Sequence, residues 1–138
     1  MNGEKKHIIL VDDISVNLLI GKNVLSEKYT VATAESAKEM FGLLENCSPD
    51  MILLDVDMPE VTGYEAIKIL KENSQTKDIP VIFLTSRTAS DDIVEGLSLG
   101  AIDYLSKPYY PSFLLKRLEI HFLAEARKKT KAEALVCN

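Results

Sequence analysis

The chain has 138 residues, 46% hydrophobic and 27% charged, with a net charge of −5 and two cysteines; this is one ordinary soluble domain, able to bury a core without a disulfide scaffold. Its longest aliphatic runs (IILV, MILL, VIFL) are four residues, against about 20 to cross a bilayer, and the stretch after Lys5-Lys6 is too short for a signal-peptide core, so a cytoplasmic protein without membrane association is expected. Residues 112–138 hold six Lys/Arg against three Glu, leaving 10 basic and 18 acidic side chains on the first 111 residues, an acidic body suited to attracting a cation.

The first aliphatic run predicts a strand near 7–11, ending at Asp12-Asp13, and Val16/Ile20/Val24 then recur at helical spacing. A more polar strand near 30–34, TVATA, is expected at a sheet edge. Ala37/Met40/Phe41/Leu44 mark the second helix, and MILL, in a strand near 51–55, leads to Asp55. Ile67/Leu70 mark the third helix, and VIFL a strand near 80–85 that ends at Thr85 and Ser86. Helix four carries Ile93/Leu97 but also Gly96 and Ser98, weak helix formers that predict an easily displaced element. The fifth strand, near 101–106, runs into Lys107-Pro108, and Leu115/Leu118/Phe122 mark the last helix. Each stripe is expected to face the sheet. Strands and helices alternating five times predict a doubly wound α/β fold: a five-stranded parallel sheet with five helices, strand order 2-1-3-4-5.

Ligands of such a sheet bind outside the carboxyl ends of its strands, which singles out Asp12, Asp13, Asp55, Asp57, Thr85 and Lys107. Carboxylates packed there repel by about 4 kcal/mol per pair at roughly 4 Å. A hard divalent cation relieves this: Mg²⁺, with Mn²⁺ able to take its place. Asp13 and Asp55 are expected as direct ligands, Asp12 largely through water, and Asp57 through its backbone carbonyl. A metal-bound carboxylate facing a lysine and a hydroxyl suits phosphoryl transfer, with Asp55 as nucleophile and Thr85 and Lys107 on the phosphoryl oxygens. Gly63 is expected to permit a turn or close approach after Pro59. Cys47, Cys137, His7 and His121 lack ligand-like spacing and read as structural.

The order DD, D-x-D-M-P-x-x-x-G, L-T-S, D-Y-L-x-K-P over residues 5–127 resembles the receiver domain of two-component response regulators. The resemblance implies a flavodoxin-like fold and phosphorylation of Asp55 by a sensor histidine kinase or histidine phosphotransfer protein. It also implies Tyr104 as switch aromatic, turning inward as Thr85 moves toward the phosphoryl group, and a cis Lys107-Pro108 peptide. Output is then expected through helix 4, strand 5 and helix 5. Beyond the family pattern, Arg87 and Asp57 are expected to pair across the pocket and to slow attack by water.

The rival reading is a haloacid-dehalogenase-like phosphatase using Asp55/Asp57. It is disfavoured because the acid pair precedes the D-x-D and no cap domain is evident. The expected product is a phosphoacceptor signalling domain rather than a turnover enzyme, with residues 1–127 as the receiver and 128–138 as a helical extension or linker. FLLKRLEIHFLAEARKKTKAEA resembles the extended fifth helix that leads into cyclic-dinucleotide domains, which would make the chain a fragment. A homodimer stays open, and the interleaved basic tail does not point to direct nucleic-acid binding.

Overall fold

The computed structural model describes residues 4–137, with side chains through residue 130. The chain divides into two units, one ending at Pro108 and the other beginning at Tyr109.

In the first unit, β1 (Lys6–Val11), β2 (Tyr29–Ala34), β3 (Met51–Leu54), β4 (Val81–Thr85) and β5 (Asp103–Ser106) form a parallel sheet in the order β2-β1-β3-β4-β5. They alternate with α1 (Ser15–Leu25), α2 (Ala37–Leu44), α3 (Gly63–Glu72) and α4 (Ser90–Ser98). β3 is the central strand and every residue of it is fully buried, which is why MILL carries no polar alternation. The edge strands are only partly covered: β2 buries Tyr29 and Ala34, and β5 buries Leu105 alone. Ile9, Val11, Ile52, Leu54, Val81 and Phe83 share one core with Met40 of α2 and Ile67 and Leu70 of α3. The alternate residues Ile8, Leu10, Leu53 and Ile82 are buried as well, as strands covered on both faces require.

Helix phases depart from expectation at two places. On α1 the buried residues are Leu18, Gly21 and Leu25, while Val16 and Ile20 are half exposed. Both sets lie at helical spacing, and contact with β1 and β2 selects the first. On α4, Leu97 is exposed; Gly96 is buried, with Ile93 and Leu99 half-buried. On α2 and α3 the expected residues are inside, Met40, Ile67 and Leu70 completely.

α2 is capped by Ser36, whose hydroxyl accepts from the Glu39 amide, and α3 by a reciprocal Thr62–Glu65 box. α1 and α4 have no side-chain cap at Ile14 and Ala89. In the second unit, α5 (Pro111–Cys137) is one helix of 27 residues, about 40 Å long. Leu114 and Leu118 are buried there, and Phe113, Ile120 and Leu123 are exposed. No helix among the described residues is long and apolar enough to cross a membrane.

Candidate functional site

Strand register assembles the site. Val11 lies beside Leu54, so Asp12 and Asp55, the next residue on each strand, share one rim, and the Asp55 amide donates to the Val11 carbonyl at 3.0 Å. Leu54 lies beside Phe83 and Thr85 beside Ser106, which carries Thr85 and Lys107 to the same rim. The Lys107 amide donates to the Thr85 carbonyl at 2.9 Å, and the Lys107-Pro108 peptide is cis.

One carboxylate oxygen from each of Asp12, Asp13 and Asp55 falls within 4.8 Å of the others. Asp12 and Asp55 are buried and Asp13 is half-buried. Lys107 Nζ is 2.5 Å from Asp12 Oδ2 and 3.4 Å from Asp55 Oδ2. Asp12 also accepts from the Ile14 amide at 2.9 Å and the Asn17 amide nitrogen at 3.3 Å, so it helps to start α1 as well as to shape the site.

Burial raises the pKa of Asp55; Lys107 opposes this, Asp12 adds to it, and the net shift is upward. For Lys107 burial pushes downward, but the hydrogen bond to Asp12 and the charges of Asp55 and Asp12 outweigh it, and its pKa is raised. One ammonium among three carboxylates leaves an excess of negative charge. The donors are all hard oxygens, a set that fits a divalent cation of the Mg²⁺ class.

Thr85 is fully buried, and its hydroxyl accepts from the Arg87 amide at 3.2 Å. Arg87 Nε donates to Asp57 Oδ1 at 2.8 Å and Nη1 to Asp92 Oδ1 at 3.3 Å. The Asp57 side chain is thus engaged at the rim, 52% exposed, rather than pointing among the buried acids. Gly63 packs on the backbone of Asp55: a Cβ there would lie 2.2 Å from the Asp55 carbonyl oxygen.

Tyr104 is half-buried, with its hydroxyl 3.0 Å from that of Tyr64. Burial raises the pKa of both phenols, so both stay protonated near neutrality. Two contributors were missed from sequence, Asn17 and Tyr64. Each sits in the first turns of a helix following a strand-end acid, but nothing in a helical period marks such a residue as facing the site.

A family model described as response regulator receiver domain matches residues 8–119. The chain belongs to the response regulator receiver domain family. Receiver domains are signalling domains of two-component systems, and the haloacid-dehalogenase alternative is not favoured. A probable cyclic di-GMP phosphodiesterase of Vibrio cholerae is 39% identical over 114 residues, covering 83% of this chain and 26% of that protein. The response regulator SaeR of Staphylococcus aureus is 41% identical over 113 residues, covering 81% and 48%. The chain therefore spans a quarter to a half of the length of these curated relatives. Among solved receiver-type structures, the chemotaxis protein CheY4 of Vibrio cholerae is 33% identical with a TM-score of 0.79, covering 83% of this chain and 97% of that one. The receiver domain of the sensor histidine kinase PA1611 from Pseudomonas aeruginosa, described with a magnesium ion coordinated in its active-site cleft, is 28% identical with a TM-score of 0.76, covering 83% and 95%.

Proposed function

We propose that this receiver domain accepts a phosphoryl group on Asp55 from a phosphohistidine, carried by a sensor histidine kinase or a histidine phosphotransfer protein in the cytoplasm, and relays the change to an output domain or partner. The observation that carries the reading is a buried carboxylate, Asp55, 3.4 Å from the Lys107 ammonium and clustered with Asp12 and Asp13 at the carboxyl ends of the strands.

An Asp55 oxygen forms a bond to phosphorus while the bond from phosphorus to the imidazole nitrogen breaks, and the electron pair leaves with the imidazole. Lys107 bears charge on the phosphoryl oxygens from the side of β5, and the Thr85 hydroxyl donates to another from β4. Asp12, Asp13, Asp55 and the Asp57 carbonyl would hold Mg²⁺ or Mn²⁺, which when bound neutralises charge on the transferring group; the magnesium in the PA1611 receiver supports this choice. The Asp57–Arg87 pair stands over the pocket rim and hinders water from the acyl phosphate. Tyr104 acts as the switch aromatic, and α4 and β5 present the output surface. The receiver covers residues 1–127, with 128–138 as a helical extension or linker tail. The domain turns over no external substrate beyond its own phosphorylation and slow dephosphorylation.

The test is intact-protein mass spectrometry after incubation with acetyl phosphate and Mg²⁺. The parent should gain one phosphoryl group, labile to hydroxylamine, and should gain none when the metal is chelated beforehand. Equal labelling of Asp55→Asn would overturn the assignment.

A further inference from the structure

Phe83, fully buried in β4, carries two tyrosine rings from different elements: Tyr64 of α3 at 5.2 Å between centroids and an interplanar angle of 78°, and Tyr104 of β5 at 5.8 Å and 58°. The Tyr64 hydroxyl donates its single proton to the Asp92 carbonyl in the first turn of α4, at 2.7 Å. The 3.0 Å contact between the two phenols must then run from the Tyr104 hydroxyl, as donor, to the Tyr64 oxygen. α4 makes room for this arrangement by having no side chain at Gly96. A Cβ there would lie 2.8 Å from the Tyr104 Cδ2 and Cε2 atoms and 3.2 Å from Phe83 Cδ2. Gly96 is therefore a seat for the ring rather than only a weak point in the helix. The same Asp92 whose carbonyl ends the chain has its carboxylate bound by Arg87, which is bound in turn by Asp57 at the pocket rim.

We propose that Tyr64 is a positioning residue for phosphoryl acceptance: its hydroxyl, bridging Tyr104 and the α4 backbone, holds the switch aromatic on the Gly96 seat before any phosphoryl group arrives. The inference rests on the phosphoacceptor reading given above and concerns how that site is regulated. If the inward ring belongs to the state that binds the phosphoryl group best, the fraction already inward sets the apparent affinity, which scales inversely with that fraction. The latch keeps that fraction high, and signalling then tightens an existing contact instead of creating it.

Beryllofluoride with Mg²⁺, a phosphoryl mimic, probes this in the full chain by NMR of ring-labelled tyrosines, with Tyr104 assigned through Tyr104→Phe. The parent should show one Tyr104 ring environment, shifted by Phe83, before the mimic is added. Tyr64→Phe keeps the ring stack but removes both hydrogen bonds. It should average the Tyr104 signals and raise the beryllofluoride midpoint, by at most the roughly fivefold weight of one net hydrogen bond, while leaving the Mg²⁺ midpoint without the mimic unchanged. Gly96→Ala, which closes the seat but favours the helix, should raise the beryllofluoride midpoint at least as far. A midpoint shared by the parent and Tyr64→Phe, or an equal loss of Mg²⁺ binding in that variant, overturns the latch alone. A parent that does not bind the mimic at all overturns both the latch and the phosphoacceptor reading.

Discussion

Asp55 sits where its own ionisation is disfavoured, since burial and then Asp12 outweigh the help that Lys107 gives. An acid whose folded pKa lies above its unfolded value, 3.8 for this group, binds a proton more readily when folded. Metal-free stability therefore falls as pH rises from the unfolded pKa through the folded one, and stays lowered at neutral pH. Asp55→Asn should raise the metal-free Tm at neutral pH, by about 4 °C for each 1 kcal/mol recovered, and the gain should vanish below the unfolded pKa. Calorimetry across that range checks it, and added Mg²⁺ should stabilise the parent more than the variant. Arg87 is a different case: its pair with Asp57 is solvated, with side chains 47% and 52% exposed, so Arg87→Ala should hardly move the Tm. If the pair hinders water, the variant's phosphorylated form should decay several-fold faster, as followed by loss of the phosphoryl mass. An unchanged lifetime would leave the pair without that role.

The loop from β3 to α3 joins Asp55 to the helix that carries Tyr64. Gly63 begins α3, and its amide donates to the Val56 carbonyl at 2.8 Å. The atoms a methyl group would meet there are backbone: the Asp55 carbonyl and the Val56 Cα at 2.9 Å. Backbone cannot swing aside as a side chain can, so Gly63→Ala should cost about 3 kcal/mol in denaturant unfolding. If Asp55 is the acceptor, it should also slow labelling by acetyl phosphate, because the displaced carbonyl belongs to that residue. At Gly96 the same substitution meets the movable ring of Tyr104, and the consequence is conformational rather than a loss of fold. α1 and α4, neither of which has a side-chain cap, both start beside the site. Their first turns are tied down by Asp12 and by the Arg87–Asp92 pair instead, which couples helix ends to the groups that phosphorylation would disturb.

Across the first unit, stability comes from a sheet sealed on both faces around β3. Leu53→Ala, at a position with no exposure, should lower unfolding free energy by about 3 kcal/mol through lost transfer energy and the cavity left behind; urea unfolding measures it. The second unit carries one long helix, and the six Lys/Arg and three Glu of residues 112–138 offset only part of the acidic excess of the first 111 residues.

The sequence by itself determined the sheet order, the edge position of β2 and the gathering of Asp12, Asp13, Asp55, Thr85 and Lys107. These are consequences of parallel strands, whose carboxyl ends share one rim whatever the helices do. It did not determine which stripe of α1 is buried, since Val16/Ile20/Val24 and Leu18/Leu25 obey the same period and only contact with β1 and β2 distinguishes them. Nor did it show Leu97 as exposed, Gly96 as a seat, or Tyr64 and Asn17 as partners of site residues. Those depend on how far a helix is rotated about its axis and where it starts, quantities set by packing between elements and absent from any local period.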